Sequence, residues 1–286
     1  MSLKIWIDGK FLDKPDAKLS VYDHGTLYGD GVFEGIRVYD GRIFECEAHL
    51  KRLCNSAKAI RLAMPYPAEE LKAAMMQTIQ ANGFNDCYIR LLVTRGAGYL
   101  GLNPTKCANA SACVIADTIE LYSREIYEKG MALITSSIIR NHPSAISPRI
   151  KSLNYLNNIL AKIEAIDAGV SEAIMLNHMG NVAECTADNI FIVRDGRVRT
   201  PGAAEGILEG ITRGVIFTLC GRLGIPCEEC VLQRHDLYIA DECFLTGTAA
   251  EIIPVARIDG RIIGSGQCGP TTRRLMDAFH KHIRED

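Results

Sequence analysis

Lys151 stands four residues before Tyr155, on a segment that leads into a predicted helix. Three amides crowd around the tyrosine, at Asn154, Asn157 and Asn158. Most lysines are simply solvated. A lysine kept partly out of water can instead act as a nucleophile and base in imine chemistry. This cluster is the first candidate for catalysis.

An apolar stripe follows the lysine at three- and four-residue spacing, which predicts an amphipathic helix packed on the core. Its members are Leu153, Leu156, Leu160, Ile163 and Ile166. Ser152 or Asn154 can cap the start of this helix, and Gly169 can end it. Lys151 is therefore expected just before the first helical turn.

Glu184 is a second candidate, because it ends a predicted strand among small apolar residues in the stretch NVAECTADNIF. One interpretation is a strand-end carboxylate in water. The other is a carboxylate that pairs with the protonated ring nitrogen of an aromatic cofactor. Such a pair would keep the nitrogen cationic and make the ring an electron sink.

Three separate elements have the chemistry to hold a phosphate. Arg52 lies on a predicted helix, with Ser56 one turn later. Thr212 stands at the start of another helix, where backbone N–H groups and a hydroxyl converge and an anion is attracted. The loop 246–250, with the sequence TGTAA, lets backbone amides approach a ligand closely. Each signal is weak alone, and neither a P-loop nor a GxGxxG motif indicates a nucleotide.

The composition excludes several classes of protein. The 286 residues carry 32 basic and 34 acidic side chains, a net charge of −2, so we expect neither nucleic-acid nor membrane binding. Apolar residues make up 48% of the chain, as in a globular protein with a substantial core. The N-terminal segment alternates like a strand and turns at Asp8-Gly9, which predicts a hairpin rather than a signal peptide.

Eleven cysteines lie in segments that resemble core, so we expect reduced, buried thiols and a cytoplasmic location. Cys227 and Cys230 have the spacing of a redox or zinc pair. They lie on a predicted strand, however, where residues three apart point to opposite faces. His280 and His282 are the only histidines with ligand-like spacing, in the charged tail. We therefore expect no metal, and thiol or metal chemistry is the weakest alternative.

Two α/β domains are expected to position these groups. The first, residues 1–118, contains two predicted helices, 47–62 and 68–82, and six predicted strands: 5–7, 19–22, 32–39, 42–46, 88–96 and 111–117. Residues 119–130 are interpreted as a linker. The larger domain, 131–286, contains a hairpin at 172–184 and two further helices, 211–224 and 270–283.

Together these segments resemble the fold-type IV pyridoxal-phosphate enzymes and, within them, the branched-chain amino acid aminotransferases. The resemblance covers essentially the whole chain, and its stretches occur in the family's order. They are FEGIRVYDG (33–41), HLKRLCNSAK (49–58), YIRLLVTRG (88–96), KSLNYLNNILAK (151–162), NVAECTADNIFIV (181–193), GILEGITR (206–213) and ADECFLTGTAAEIIPV (240–255). The resemblance implies an α/β (α+β) fold, with a small N-terminal α/β domain and a larger, cofactor-binding C-terminal pseudo-barrel domain.

The resemblance also implies pyridoxal 5'-phosphate as cofactor, with Lys151 as the residue that bonds to it covalently. Glu184 would contact the pyridine nitrogen and Tyr155 the ring hydroxyl. Leu208 would pack against the ring. The phosphate would be held by Arg52, Ile211, Thr212 and Thr248.

On the substrate side, the resemblance implies an apolar pocket shaped by Phe33 and Gly35. Tyr88, with the amides of Thr248 and Ala249, would bind the α-carboxylate. Four further residues would complete the site. Arg37 and Arg90 would orient that carboxylate or receive the second carboxylate of glutamate, and Tyr28 and Tyr122 would close the pocket.

The implied reaction is the transamination of L-leucine, L-isoleucine and L-valine with 2-oxoglutarate, giving branched 2-oxo acids and L-glutamate, in a homodimer or higher homo-oligomer. The stretch GDGVFE (29–34) is shared in looser form with D-amino acid aminotransferases and aminodeoxychorismate lyases, which remain alternatives. EGIR together with YIR favours the branched-chain group. A catalytically silent binding module is the non-enzymatic alternative, and the intact Lys151, Tyr155 and Glu184 argue against it.

Overall fold

The computed structural model describes residues 2–119 and 122–285 and divides them into two compact units. Unit 1 consists of the residues up to 119 together with Ile150–Asn154, and unit 2 of residues 122–149 and those from 155 onward. Lys151 therefore belongs to unit 1. The domain limits 1–118, 119–130 and 131–286 stay predictions, and positions 120 and 121 of the predicted linker lie outside the described residues.

Unit 1 is an antiparallel sheet with helices on one face. Its elements are β1 (Lys4–Ile7), β2 (Lys10–Asp13), α1 (His24–Tyr28), β3 (Gly31–Tyr39), β4 (Arg42–Ile43), α2 (Cys46–Ala59), α3 (Ala68–Asn82), β5 (Cys87–Thr94) and β6 (Ser111–Asp117). The strand order is β2-β1-β6-β5-β3-β4. Leu50, Leu53 and Leu71 of the helices are buried against the sheet residues Ile36 and Ile89.

Two strand predictions in unit 1 are corrected. Residues 19–22 form no strand: they are exposed, with Val21 73% accessible, and they lead into the short helix α1. The carboxylate of Asp23 accepts a hydrogen bond from the backbone N–H of Gly25 and caps this helix. The strand predicted over 42–46 ends at Ile43, because Cys46 already begins α2.

Unit 2 is built on a mixed sheet of nine strands. Its elements are α4 (Arg124–Lys129), β7 (Met131–Thr135), α5 (Leu156–Asp167), β8 (Glu172–Leu176), β9 (Val182–Cys185), β10 (Asn189–Arg194), β11 (Arg197–Thr200), α6 (Ile211–Leu223), β12 (Cys227–Glu229), α7 (Arg234–Tyr238), β13 (Glu242–Gly247), β14 (Glu251–Ile258), β15 (Arg261–Ile262) and α8 (Pro270–Glu285). The order is β12-β11-β10-β13-β14-β7-β8-β9, with β15 beside β14.

The unit 2 sheet must curve back on itself. β9 lies at one edge, yet only residues 186–188 connect it to β10, which is third from the other edge. So short a connection brings the two ends of the sheet close together, as in a barrel. Its interior is filled by apolar side chains such as Ile174, Ile190 and Leu245. The mixed α/β fold class is confirmed.

The helix after Lys151 differs from the prediction in its orientation. α5 begins at Leu156, and its buried residues are Asn158, Ala161 and Ala165. The prediction that the apolar stripe packs on the core is wrong, because small residues let the helix lie close to its own unit while the stripe faces outward. The exposed residues are Leu156, Ile159, Leu160, Ile163 and Ile166. Of the helices in the described ranges, none is long and apolar enough to cross a membrane.

Candidate functional site

Lys151 lies on an extended segment that pairs with β3 of unit 1. Its carbonyl oxygen accepts a hydrogen bond from the N–H of Phe33 at 3.0 Å, and the N–H of Leu153 donates to the carbonyl of Gly31 at 3.0 Å. The N–H of Lys151 donates to Oγ of Ser56 on α2, at 3.1 Å. These bonds fix the backbone on both sides of the lysine. Its Nζ is 4.6 Å from the centre of the Phe33 ring.

Strands β3 and β5 place the predicted substrate residues on one face of the sheet. Their register pairs Gly35 with Arg90 and Arg37 with Tyr88, so these four residues and Phe33 share a face by the two-residue strand period. The opposite face carries core residues such as Ile36. The sheet therefore brings five predicted residues together on the face where Nζ of Lys151 lies.

Close packing on this face requires glycine at position 35. A Cβ at Gly35 would lie 1.7 Å from Oη of Tyr88, which is far inside van der Waals contact. The Arg90 guanidinium stacks near two rings, 4.6 Å from the centre of Phe33 and 5.5 Å from that of Tyr88. Positive charge and aromatic surface thus stand side by side, which suits a substrate with a carboxylate and an apolar side chain.

The two tyrosines predicted to close the pocket lie in different units. Tyr28 ends α1 and packs edge-on against His24 in unit 1. Tyr122 lies in unit 2, partly buried, and burial together with nearby carboxylates, including Asp188 and Glu172, raises its pKa well above the usual value. Tyr122 therefore remains a neutral phenol. Whether the two residues close a pocket stays a prediction.

Glu184 is a buried carboxylate held from several sides within unit 2. It lies on β9 and is 5% exposed. Nε of Arg140 donates to its Oε1 at 2.8 Å, and the N–H of Leu208 donates to its Oε2 at 2.9 Å. Nδ2 of Asn189 donates to the same Oε2 at 3.2 Å. The side chain is therefore oriented, and the interpretation as a solvated strand-end glutamate is wrong.

Asn189 connects Glu184 to the start of α6. Besides its bond to Glu184, its Nδ2 donates to the carbonyl of Leu208 at 2.9 Å. A Cβ at Gly210 would lie 2.1 Å from Oδ1 of the same asparagine. The loop that carries Leu208 into α6 is thereby fixed against β9 and β10.

The start of α6 fits an anion. Gly210 is the N-cap and offers no side chain to the first backbone N–H groups. Thr212 is 2% exposed, and its Oγ1 has no hydrogen-bond partner within the residues that the structure describes. An unsatisfied buried hydroxyl is costly and calls for an explanation. A phosphate at this helix start would satisfy the hydroxyl and the backbone N–H groups of Ile211 and Thr212 together.

The loop between β13 and β14 is also tightly placed in unit 2. A Cβ at Gly247 would lie 2.0 Å from Oδ1 of Asp188, so the chain must approach that side chain as glycine. Thr248 and Ala249 follow in a turn and are partly exposed. Tyr155, the N-cap of α5, is likewise partly exposed. The contacts predicted for these three residues with cofactor or substrate stay predictions.

Arg52 lies in a buried network of unit 1. Its Nε and Nη2 donate to Oε1 and Oε2 of Glu34, both at 2.8 Å, and Nδ1 of His49 lies 2.7 Å from Oε2. Burial raises the pKa of Glu34, but the hydrogen bonds from Arg52 and His49 and the charge of Arg52 outweigh burial and lower it to about 2. Glu34 is thus ionised and paired. The phosphate contact of Arg52 stays a prediction.

Several functional neighbours were missed in the sequence. Arg140, Asn189, Glu34 and His49 contact the predicted residues, yet none was singled out. The only signal was residue type: Arg140 follows an apolar stretch, and Glu34 stands among apolar residues in the stretch VFEGI (32–36). Neither signal identifies a partner, because each pair is 15 or more residues apart except for Asn189 and Glu184.

Several buried cysteines are unsuited to thiolate chemistry. Burial raises the pKa of Cys46, Cys87 and Cys113 to about 11, which disfavours the reactive thiolate. Within the described residues, no group of three or more histidine, cysteine, aspartate or glutamate side chains could hold a metal. His280 of the predicted histidine pair lies 3.2 Å from Glu251.

The side chains described above offer a chemical partner for each part of pyridoxal 5'-phosphate. Unit 2 offers a buried carboxylate for a ring nitrogen and an unsatisfied hydroxyl at a helix start for a phosphate. Unit 1 offers the lysine amine beside an aromatic and cationic face. No part of this set conflicts with the cofactor.

Comparisons with known proteins give one consistent result. The family model described as amino-transferase class IV matches residues 31–258. A protein of Methanocaldococcus jannaschii is 49% identical over 99% of this chain and 96% of its own. The crystal structure of Escherichia coli branched-chain amino acid aminotransferase superposes with a TM-score of 0.96 at 37% identity, covering 99% of this chain and 95% of that one. The branched-chain amino acid aminotransferase from Thermobaculum terrenum, in its PLP-form, gives 0.88 at 32% identity, with coverages of 99% and 94%.

Proposed function

We propose a reaction for this chain from the premise that it belongs to the amino-transferase class IV family and, within that family, to the branched-chain amino acid aminotransferases. In this reaction the protein transfers the amino group of L-leucine, L-isoleucine or L-valine to 2-oxoglutarate. The products are the branched 2-oxo acids and L-glutamate. The observation that carries this proposal is the buried Glu184 carboxylate, held by Arg140, Asn189 and the Leu208 amide.

Pyridoxal 5'-phosphate, when bound, supplies an electron sink for the charge that develops at the substrate α-carbon. Lys151 would hold the cofactor covalently, and Glu184 would keep the proton on its ring nitrogen. Tyr155 would bond to the ring hydroxyl and Leu208 would pack on the ring. The phosphate contacts would come from Arg52, Ile211, Thr212 and Thr248.

Lys151 is the catalytic base. Its free Nζ would take the proton from the substrate α-carbon. The backbone bonds from Lys151 to Phe33 and Ser56 fix the start of the side chain. Because the reacting amine is thereby held on one short segment, its position relative to the substrate face of β3 is restricted.

The substrate face binds both ends of an amino acid. Phe33 and Gly35 contact the apolar side chain, and Tyr88 with the amides of Thr248 and Ala249 binds the α-carboxylate. Arg37 and Arg90 receive the second carboxylate when the substrate is glutamate, and Tyr28 and Tyr122 close the site. An apolar pocket distinguishes side chains one methylene apart by about 1–3 kcal/mol only. All three branched-chain substrates should therefore be accepted.

We also propose a cytoplasmic homodimer. All eleven cysteines are free thiols, which suits a reducing compartment. The outward stripe of α5 exposes five large apolar side chains, more than single scattered residues would require. A second copy of the chain would cover that stripe.

An absorption spectrum of the purified protein tests the activity. L-leucine should bleach the yellow cofactor band, and 2-oxoglutarate should restore it. Bleaching by D-alanine alone would favour a D-amino acid aminotransferase, and pyruvate release from aminodeoxychorismate would favour the lyase. A protein that shows no band after incubation with pyridoxal 5'-phosphate would contradict the proposal.

The variant Lys151→Ala extends this test. We expect it to lose the band of the covalently held cofactor and to retain under about 0.1% of turnover, because it lacks both the covalent anchor and the base. Lys58→Ala, which removes an exposed lysine on α2, is the matched control. Turnover by Lys151→Ala with the band intact would remove Lys151 from both roles.

A further inference from the structure

We propose that Glu34 and His49 are positioning residues that hold the guanidinium of Arg52 in place for the cofactor phosphate, and so set the affinity for the phosphate and not for the ring. The inference rests on the proposed function, which supplies the contact between Arg52 and the phosphate. The new element is the role of Glu34 and His49 in orienting the Arg52 guanidinium.

The two bonds between Glu34 and Arg52 fix the plane of the guanidinium. The Glu34 side chain is fully buried, and that of Arg52 is 12% exposed. An arginine carries five N–H donors in one rigid plane. Glu34 occupies the edge formed by Nε and Nη2. The remaining donors point away from Glu34, in a direction that the pair determines.

His49 fixes Glu34 in turn. It lies on α2 one turn before Arg52, and its Nδ1 is 2.7 Å from Oε2 of Glu34. A carboxylate only accepts, so Nδ1 carries the proton and donates. Nε2 is buried and has no hydrogen-bond partner among the described residues. Burial lowers the pKa of His49, in keeping with a neutral ring that leaves no second N–H unsatisfied. Glu34 therefore receives three hydrogen bonds and cannot rotate freely.

The same face of α2 reaches the lysine segment. Ser56, one turn after Arg52, accepts the backbone N–H of Lys151 at 3.1 Å. The phosphate contact and the lysine backbone are thus supported by neighbouring turns of one helix. A change in the Arg52 orientation would displace the phosphate while leaving this lysine support intact.

The proposal is testable because two roles of Glu34 predict opposite changes in phosphate binding when its carboxylate is removed. One role is to offset the charge of Arg52, and the other is to position its guanidinium. The negative charge of Glu34 offsets that of Arg52, so by charge alone its removal should strengthen phosphate binding. If Glu34 mainly positions Arg52, its removal should weaken phosphate binding. The two-point geometry and the complete burial of Glu34 favour positioning.

The experiment titrates the apoprotein with pyridoxal 5'-phosphate and with pyridoxal, which lacks the phosphate. For Glu34→Gln we expect the dissociation constant for pyridoxal 5'-phosphate to rise roughly 10- to 100-fold, the range for losing hydrogen bonds to a charged group. The constant for pyridoxal should change less than about 2-fold, since its contacts do not involve Arg52.

Histidine variants and a surface control complete the design. His49→Ala should weaken pyridoxal 5'-phosphate binding selectively, and His49→Asn should restore it, because its amide N–H can replace Nδ1–H. Glu47→Gln is the control, since Glu47 lies on the same helix but is exposed and bonded to Lys72. Its binding constants should match those of the unmodified protein.

An unchanged or stronger preference of Glu34→Gln for pyridoxal 5'-phosphate over pyridoxal would overturn the inference. If circular dichroism shows that Glu34→Gln does not fold, the variants His49→Ala and His49→Asn decide instead, by the ratio of the dissociation constants for pyridoxal and pyridoxal 5'-phosphate. An equal ratio in His49→Ala and in the unmodified protein would overturn the inference. Failure of the unmodified protein to bind pyridoxal 5'-phosphate would instead contradict the proposed function. The two failures are therefore distinguishable.

Discussion

Two buried carboxylates, each paired with an arginine, are the main electrostatic features at the residue scale. Glu184 pairs with Arg140 in unit 2, and Glu34 pairs with Arg52 in unit 1. Ionised groups taken out of water require such partners, because burial without one is strongly unfavourable. Residue types in the sequence indicated one member of each pair, Glu184 and Arg52. The other member could not be predicted, because the partner is set by how distant strands and helices come together.

Breaking the Glu184 pair should destabilise the fold more than removing it entirely. Arg140→Met leaves a buried carboxylate without its counter-ion and should lower the free energy of unfolding by about 3–5 kcal/mol. The double variant Arg140→Met/Glu184→Gln should recover a substantial part of that loss. Urea unfolding of the apoprotein measures both. Arg124→Met, which breaks an exposed pair with Glu128, should change stability by under about 1 kcal/mol. Equal losses in the single and double variants would show that the unpaired charge of Glu184 is not the source of the loss.

At the scale of elements, the two-residue period of β3 separates two tasks. Phe33, Gly35 and Arg37 share the face on which Nζ of Lys151 lies, while Glu34 faces α2. Helices α2 and α3 and strands β3, β5 and β6 follow the predicted segments closely, because their apolar periods are regular. Periodicity shows that a face is covered but not what covers it. For this reason the stripe of α5 was assigned to the core, although it faces outward.

The exposed stripe of α5 leads to a prediction about assembly. If a second copy covers it, a charge placed there should disrupt the dimer, since burying one leucine or isoleucine contributes about 1.5–3 kcal/mol. Leu160→Glu/Ile163→Glu should sediment as a monomer at a concentration where the unmodified protein is a dimer. Ile262→Glu, on the exposed strand β15, is the control and should leave the dimer intact. A double variant that remains dimeric would place the interface elsewhere.

At the scale of the whole molecule, the buried network of unit 1 makes folding sensitive to acid. The pKa of Glu34 is about 2 in the folded state, against 4.5 for an unperturbed glutamate in the unfolded chain. Its contribution is therefore present above pH 4.5 and lost as the pH falls toward 2. Burial also lowers the pKa of His49 from 6.5. Below pH 6.5 the unfolded state takes up a proton at this histidine that the folded state does not. Both groups therefore make the free energy of unfolding decrease as the pH decreases.

His280 titrates in the opposite sense and provides an internal contrast. A hydrogen bond to Glu251 raises its pKa above 6.5, so its small contribution is present below pH 6.5 and lost as the pH rises through the folded value. Because His280 is half exposed, solvent screens this contribution. The loss of stability at low pH should therefore come mainly from Glu34 and His49 and not from His280.

Urea unfolding between pH 7 and pH 2 should show this dependence. Stability should begin to fall below pH 6.5 and fall further below pH 4.5, with Glu34 contributing on the order of 3 kcal/mol by pH 2. His49→Asn, which keeps a donor to Glu34 but cannot titrate, should remove the loss between pH 6.5 and pH 4.5 and leave the later one. His280→Gln should leave the acid slope unchanged. If His49→Asn followed the unmodified protein throughout, the early loss would arise from other groups, and the buried histidine would not be what couples folding to pH.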